Sequence, residues 1–375
     1  MFQAFATKKL LAVILIPSCV VTKDADTSIC IGQCERTTTN SDEGVLNYAL
    51  LGHTFSILPT TNPYICHYNC FMECRCLSYQ ISSDRCELLD EDRLTKPTSF
   101  QARDGYTYYD IQREYRYNCS NAKCQNGCCK SRPCLNDGRC LELCENPRLK
   151  FNCTCPEGFA GKLCQIKRRS CKDYIGNDKK DSYVILDKEK DKLKVFCDFQ
   201  SEKAFAWTLI ESFSFQNNAI VQSHGLMADH PLNEDNPNWE LYRLSYSHMK
   251  EIADVSTHFR ATCQFSLEGV KYVDYVQGKL SDTNVVEVIT RSCFKYEYIN
   301  IRGHHCHNCT AFTAQDLTTH LHINGLYSNT CTMGQLPDAN SIRGDDNFGF
   351  YAVADRNHRC ATNQSATTQW WLGGP

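Results

Sequence analysis

Long apolar runs and a dominant charge are both missing from this sequence. The apolar run Leu10–Ile16 is too short to cross a bilayer, which takes about 20 residues in a helix, and no later segment approaches that length. The carboxyl end TTQWWLGGP lacks the hydrophobic tail that directs a lipid anchor. The formal net charge is −3, with acidic and basic residues mixed along the chain. Neither a nucleic-acid surface nor a polybasic membrane surface is therefore expected.

Recognisable catalytic motifs are missing as well. The chain has no Gly-x-Ser-x-Gly, no His-Glu-x-x-His, no phosphate-cradling glycine loop and no dinucleotide fingerprint. Serine, histidine and aspartate are plentiful, but none are spaced to suggest a catalytic triad. We therefore expect no enzyme activity and no cofactor.

The first 21 residues have the layout of a secretory signal peptide. Lys8 and Lys9 give a positive start, Leu10–Ile16 forms an apolar centre, and small residues follow before the chain turns polar at Lys23. This layout predicts a signal peptide over residues 1–21. The mature protein is then secreted and extracellular, with no membrane span.

Cysteine is abundant, and its use fits export. The chain has 26 cysteines, and so dense a set in a secreted protein predicts a disulfide framework. If Cys19 leaves with the signal peptide, an odd number remains, which predicts a free thiol or a disulfide-linked homodimer. Sequons for N-glycosylation also fit export: Asn118, Asn152, Asn308 and Asn363.

Cysteine spacing divides the chain into three blocks. About 350 mature residues are too many for one hydrophobic core and suit two or three domains. One cysteine cluster lies in residues 28–119, a denser one in 124–165, and a sparse set in 170–375. The basic stretch QIKRRS separates the second block from the third.

The middle block, 124–165, contains PCLNDGRC followed by FNCTCPEGFAGKLC. So small a segment cannot bury a stabilising core, and disulfides must restrict its unfolded state instead. The Cys-x-Cys-x8-Cys ending closely resembles an EGF-like domain. That resemblance implies these disulfides: Cys134–Cys153, Cys155–Cys164, and Cys140 with Cys128 or Cys129. The acidic residues that precede the first cysteine of calcium-binding members are missing, so no calcium is expected here.

The first block, 28–119, combines a cysteine period of four with alternating strands. Cys66, Cys70 and Cys74 would share one face of a short helix, while Leu77–Ile81 and Arg85–Leu89 read as a hairpin. This pattern resembles the PAN/apple family, in which a central helix is tied to an antiparallel sheet. The resemblance implies these disulfides: Cys66–Cys86, Cys70–Cys76, and Cys74 with Cys30 or Cys34.

The last block, 170–375, opens with strand-like runs at Tyr183–Leu186 and Leu193–Phe196, then Trp207–Ile210. This opening resembles a fibrinogen C-terminal-like domain, and the resemblance implies a Cys171–Cys197 disulfide. Beyond residue 211 the glycine- and tryptophan-rich centre and the aspartate-rich calcium loop of typical members are missing. Ala206 also replaces a usual glycine. The resemblance therefore implies a fold but not a ligand pocket.

The stretch RGHHCHNCT, residues 302–310, is a candidate metal site. Its ligands would be drawn from His304, His305, His307, His320 and His322, with thiolates from Cys306 and Cys309. Exported cysteines are usually oxidised, however, and this block holds an even set of eight. We interpret the stretch as a disulfide-bonded, glycosylated loop, with a secreted metalloprotein as the remote alternative.

Two further motifs invite a binding role. Arg343-Gly344-Asp345 lies in polar surroundings and offers the cation, flexible glycine and carboxylate that integrins recognise. The alternative is a turn that leads into a strand at Phe348–Val353. Trp370-Trp371 could stack on a sugar or pack as the closing strand, and packing is favoured because large aromatic side chains bury well.

The predicted fold class is multidomain and disulfide-rich. It consists of an α+β apple-like domain, a small β EGF-like module and a larger α+β fibrinogen-like domain. All three families are chiefly binding modules, so the resemblance implies recognition or adhesion of proteins outside the cell, with a lectin-like carbohydrate reader as the alternative. The ligand and the oligomeric state stay open. So do the partners of these cysteines: Cys30, Cys34, Cys74, Cys119, Cys124, Cys128, Cys129, Cys144 and those after Cys197.

Overall fold

The computed structural model describes residues 29–31, 35–36, 44–111, 114–115, 123–143, 149–175, 182–287, 289–324, 330–335 and 347–375. The predicted signal peptide, Asn118 and Arg343–Asp345 lie outside these ranges. The chain divides into an amino-terminal unit, Met1–Pro156 with Gly161–Gln165, and a carboxyl-terminal unit, Glu157–Ala160 with Ile166–Pro375. The regular secondary structure of the described residues is mostly β-strand, with few helices.

The described residues of the amino-terminal unit include an α-helix and short strands. The helix α1 spans Pro63–Met72. The strands are β1 Ile29–Ile31, β2 Glu35–Arg36, β3 Val45–Leu50, β4 Thr54–Leu58, β5 Ser78–Ile81, β6 Cys86–Leu89, β7 Phe100–Asp110, β8 Glu114–Tyr115, β9 Lys123–Gln125, β10 Arg139–Glu142 and β11 Phe151–Thr154. An antiparallel sheet in the order β3-β7-β5-β6-β4 forms its main layer.

Local chemistry sets the start of α1, and disulfides hold it on the sheet. The Asn62 carboxamide accepts hydrogen bonds from the backbone of Tyr64 and Ile65, and Pro63 occupies the first turn. The buried side of the helix carries Cys66 and Cys70. The described disulfides here are Cys66–Cys86 and Cys70–Cys76, the pairs that the apple resemblance implied.

Cys74 does not belong to the helix. The structure ends α1 at Met72, and the chain turns extended at Glu73. Cys74 bonds to Cys128, so the expectation that it pairs with Cys30 or Cys34 is wrong. The extended residue at Glu73 redirects the chain, and the helical period therefore stops predicting where the next cysteine points.

The EGF-like module is a small hairpin held by disulfides. Strands β10 and β11 pair with Cys140 opposite Cys153. The disulfides are Cys129–Cys140, Cys134–Cys153 and Cys155–Cys164, so Cys129 is the partner of Cys140. Besides Cys74–Cys128, the Lys162 ammonium attaches this module to the sheet layer through an ion pair of 2.7 Å with Glu91.

The carboxyl-terminal unit is built on one large antiparallel sheet. The strands of the large sheet are β14 Ser182–Leu186, β15 Lys192–Asp198, β16 Ala206–Ser214, β17 Leu241–Arg243, β18 His258–Cys263, β19 Tyr275–Lys279, β20 Ile289–Ile301, β21 His304–Asp316, β22 Thr319–Asn324, β23 Asn347–Phe348 and β24 Thr367–Gly374. A separate pair of short strands consists of β12 Phe159–Ala160 and β13 Ile166–Lys167. The helices are α2 Asn218–Gln222, α3 Tyr246–Ala253 and α4 Phe265–Glu268.

The last strand lies in the middle of this sheet. The order is β14-β15-β16-β24-β18-β19-β20-β21-β22-β23, with β17 also paired to β16. Trp370 and Trp371 on β24 are therefore buried, together with Trp207, Phe213 and Phe259. Buried disulfides Cys171–Cys197 and Cys263–Cys360 reinforce the same core. The packing interpretation of the tryptophan pair is the one that the structure shows.

The strand expected at Phe348–Val353 is shorter than predicted. β23 ends at Phe348, because Gly349 adopts φ +93°. A Cβ at that position would also lie 2.4 Å from the carbonyl oxygen of Leu321. The local sequence does not reveal the second constraint, because Leu321 lies on β22, which is distant in the chain.

Candidate functional site

The histidine-rich stretch forms one strand of a long hairpin. Strands β20 and β21 are joined by Arg302 and Gly303, whose φ values of +54° and +89° suit a tight turn between antiparallel strands. The Asp274 carboxylate accepts a hydrogen bond of 2.6 Å from the Arg302 amide. The guanidinium of Arg302 forms an ion pair of 3.1 Å with Asp355. This bracing fixes the turn, and with it the position of the histidines that follow.

The cysteines of this strand are bonded to each other. Cys306 and Cys309 form a disulfide with a Cα–Cα distance of 6.0 Å. Thiolate ligands are therefore not available in this state. Within the described ranges, Cys263, His358 and Cys360 bring three ligand-type atoms within 4.8 Å of one another, but the two sulfurs are joined in a disulfide.

Two of the five histidines lie together on the surface. His305 and His307 are exposed, with ring centres 6.4 Å apart, and Tyr298 on β20 packs 4.5 Å from His307. The Nδ1 atom of His305 lies 3.2 Å from the carbonyl oxygen of Gly303. His304 is half-buried.

The other two predicted ligands have different partners. His320 is fully buried, and its Nε2 lies 2.6 Å from the Glu211 carboxylate, which also pairs with Arg243 at 2.7 Å. Burial alone would raise the pKa of Glu211, but the His320 ring and the Arg243 guanidinium outweigh it and hold that pKa below its usual value. His322 packs its ring 5.9 Å from Phe350. The five-histidine set is therefore split between the surface and the core.

The described sequon asparagines are all exposed. Asn152 lies on β11 and Asn308 on β21, while Asn363 lies in the loop before β24. The Asn363 carboxamide accepts a hydrogen bond of 2.8 Å from the Ser365 hydroxyl. Asn118 and the Arg343–Asp345 tripeptide lie outside the described residues.

Sequence reasoning missed an exposed apolar face on α1. The side of the helix opposite its cysteines presents Tyr64 (62% exposed), Ile65 (49%), Tyr68 (52%) and Met72 (60%). The signal was present in the sequence, since Tyr64, Tyr68 and Met72 recur with the same period of four as the cysteines. We call this exposed side of the helix the α1 apolar face.

Comparisons with known proteins support one module directly. Residues 129–163 match the EGF-like domain family. Putative neural-cadherin 2 of Drosophila melanogaster is 35% identical over 72 residues, which cover 17% of this chain and 4% of that protein. Neural-cadherin of Drosophila melanogaster is 31% identical over 72 residues, covering 17% of this chain and 2% of that protein. The chain therefore spans only a small part of these relatives. No solved structure matched.

These findings confirm the EGF-like domain. An EGF-like domain, many disulfides and local similarity to cadherins are together typical of an extracellular, adhesion-type protein. Among the described helices, none combines the length and apolar character needed to cross a membrane.

Proposed function

We propose that this protein is a secreted, non-catalytic glycoprotein that recognises other proteins outside the cell, and that the α1 apolar face is its principal contact. The observation that carries the proposal is the exposure of Tyr64, Ile65, Tyr68 and Met72 on one side of a single helix. Large exposed apolar patches on soluble proteins commonly mark interaction sites.

The chemistry of this face suits a protein partner. Tyrosine is enriched among the residues that dominate binding energy, and methionine adapts to irregular partner surfaces. The helix PYICHYNCFM carries no Asp, Glu, Lys or Arg, which matches the depletion of charge at interface centres. The partner is therefore a protein whose contacting surface is apolar and uncharged at its centre.

Disulfides give this face a rigid support. Cys66 and Cys70 anchor the helix from its buried side, and Cys74–Cys128 holds the chain just after it. A surface that is already ordered before binding loses less conformational entropy on association. Rigid anchoring of exposed side chains is what a recognition surface requires.

The domain assignments belong to the same proposal. A helix bonded to a five-stranded antiparallel sheet supports the apple-like assignment of residues 28–119. The β14–β15 hairpin, the Cys171–Cys197 disulfide and buried Trp207 support the fibrinogen-like assignment of residues 170–375. Arg343-Gly344-Asp345 is proposed as a second contact, to integrins. If Cys19 is removed with the signal peptide, the odd number of remaining cysteines supports a disulfide-linked homodimer.

Binding to cells that display the partner tests the main contact. Full-length protein with Tyr64→Ser and Tyr68→Ser is expected to bind at least about tenfold more weakly than wild type, because hot-spot tyrosines contribute about 2 kcal/mol or more each. Leu46→Ser is the matched control, since Leu46 is 71% exposed on β3 of the same unit. Equal binding by all three proteins would overturn the proposed contact. Asp345→Glu tests the integrin contact separately.

One observation favours the lectin alternative. Exposed Tyr272, half-buried Tyr298 and exposed His307 form a ring cluster on the carboxyl-terminal unit, with ring centres of Tyr272 and Tyr298 6.3 Å apart. Aromatic rings of this kind can pack on the apolar face of a sugar. A glycan array with and without chelator distinguishes the two functions, because the protein-recognition proposal predicts no sugar-specific signal in either condition.

A further inference from the structure

The Cys306–Cys309 disulfide distorts the strand that carries it. Residues three apart on an extended strand have Cα atoms about 10 Å apart and point to opposite faces. Here the Cα–Cα distance is 6.0 Å, and Asn308 between the two cysteines adopts φ +48°. A left-handed conformation is unfavourable for residues other than glycine, although asparagine tolerates it best. The disulfide thus holds a short turn inside a strand of the hairpin.

This disulfide also contributes little restraint to the unfolded chain. Its cysteines are 3 residues apart, whereas Cys171–Cys197 spans 26, Cys293–Cys331 spans 38 and Cys263–Cys360 spans 97. In the chain-entropy account, stabilisation grows with the length of the closed loop. The fold therefore gains least from the bond that distorts its strand.

Access to the sulfur differs as well. Cys306 is half-buried and lies between the exposed residues His305 and His307. Cys171–Cys197 and Cys263–Cys360 are buried at both ends. Exposed disulfides are the ones that exchange with external thiols, because the attacking thiolate must reach a sulfur atom.

From these observations we propose that Cys306–Cys309 is a redox-labile disulfide that an extracellular dithiol opens before any other described bond of this unit. A thiolate of the dithiol attacks the Cys306 sulfur and forms a mixed disulfide, and the Cys309 sulfur leaves as a thiolate and takes up a proton. The second thiol of the reductant then attacks the reductant sulfur of the mixed disulfide, which closes the reductant's own disulfide and releases Cys306 as a thiol. Two protein thiols result, and the dithiol becomes a disulfide.

Opening the bond changes an exposed surface. Asn308 is released from its left-handed conformation, and the chain between the cysteines can return to extended spacing. Tyr298 pairs with His307 across the hairpin, so the surface formed by Tyr298, His305 and His307 rearranges with it. This inference is independent of the α1 apolar face, and its test does not involve a binding partner.

Graded reduction of the folded, full-length protein tests the proposal. Dithiothreitol is titrated under native conditions, free thiols are alkylated, and each pair is quantified by mass spectrometry after a second reduction and alkylation. Half-reduction of Cys306–Cys309 is expected at a concentration at least tenfold below that of Cys293–Cys331. The latter is the matched reference, because it also joins a half-buried cysteine to a buried one. Coincident reduction of the two pairs would overturn the proposal.

Substitutions at Asn308 test the physical cause. Asn308→Gly removes both the sequon and the left-handed penalty, so more dithiothreitol is expected for half-reduction. Asn308→Gln removes the sequon but keeps the penalty, so half-reduction is expected at or below the wild-type concentration. Equal shifts in both variants would show that the backbone conformation is not the cause.

A paired deletion separates a labile disulfide from a structural one. Secretion and melting temperature are expected to change little in the double variant Cys306→Ser/Cys309→Ser, and to fall clearly in Cys293→Ser/Cys331→Ser. If the first double variant is not secreted, or melts as early as the second, the disulfide is structural and the proposal is wrong.

Discussion

Buried charges are the residues whose neighbours matter most in the carboxyl-terminal unit. Glu211, Arg243 and His320 are fully buried and meet through contacts of 2.7 and 2.6 Å. The sequence marked His320 as a candidate ligand, yet its partner is 109 positions away on β16. No local sequence pattern reveals that His320 pairs with Glu211. The sequence therefore identified a residue of interest but not its partner.

Replacement of Arg243 should therefore lower the stability of the fold strongly. Arg243→Met leaves the Glu211 carboxylate buried with one partner fewer, and the free energy of unfolding is expected to fall by about 3–5 kcal/mol. Lys279→Met is the control, because Lys279 and Glu297 form a solvent-exposed pair at 3.7 Å whose loss costs about 1 kcal/mol or less. Denaturant unfolding of both variants measures the difference. Similar losses would contradict the account of the buried group.

His248 should make stability depend on pH. Its Nδ1 lies 2.6 Å from Glu234, and hydrogen bonds to Glu234 and Asp187 raise the pKa of His248 to about 9 against the counteracting effect of burial. Because the pKa of His248 is higher in the folded state than in the unfolded state, protonated His248 stabilises the fold. This stabilisation is complete below about pH 6.5 and is lost as the pH rises toward 9.

Comparison with His248→Gln isolates this contribution. The variant should be less stable than wild type by on the order of 2 kcal/mol at pH 6, and the difference should shrink toward pH 9.5. Denaturant titrations at both pH values measure it. A difference that stays constant with pH would show that protonation of His248 does not stabilise the fold.

At the scale of elements, local signals predicted strands better than their ends. The runs Leu77–Ile81 and Arg85–Leu89 contain β5 and β6, because the alternation along the first run is a local signal and the second follows it closely enough to form a hairpin. Cys74 and Gly349 show where such reasoning stops. In both cases the backbone of one residue, Glu73 or Gly349, changes the direction of the chain. The contact that follows is with a residue distant in sequence, Cys128 or Leu321.

Two glycines give a matched test of what ends an element. Gly303→Ala should cost about 1 kcal/mol, because its φ is +89° while, among described residues, no atom lies within 4 Å of the added Cβ. Gly349→Ala combines φ +93° with a contact of 2.4 Å to the Leu321 oxygen, so its cost should be clearly larger. Thermal unfolding ranks them. Equal melting temperatures would contradict the close-approach explanation.

At the scale of the whole molecule, cysteine spacing predicted three blocks but carried no information on sheet topology. The EGF-like module was predictable because its chemistry is local and its spacing specific. The strand order of the carboxyl-terminal unit was not, since it brings β24 between β16 and β18, which are far earlier in the chain. The Trp370-Trp371 pair predicted a buried strand, but it did not indicate that this strand lies in the middle of the sheet.

Removal of β24 should therefore prevent folding of its unit. A chain that stops after Ala366 loses Trp370, Trp371 and Leu372 from the core, and β16 and β18 each lose the strand that pairs with one of their edges. We expect no secreted product in culture medium, whereas a chain lacking Pro375 alone should be secreted normally. Secretion of the truncated chain at the wild-type level would show that the sheet closes without β24.

The most direct measurement of the central claim is site-specific photo-crosslinking from the α1 apolar face. A photoreactive phenylalanine analogue replaces Tyr68 in the full-length protein, and a second sample carries it at Leu46. After irradiation on cells that bind the protein, position 68 should yield a covalent adduct with a protein, and position 46 should not. No adduct from position 68, or equal adducts from both, would contradict recognition through this face.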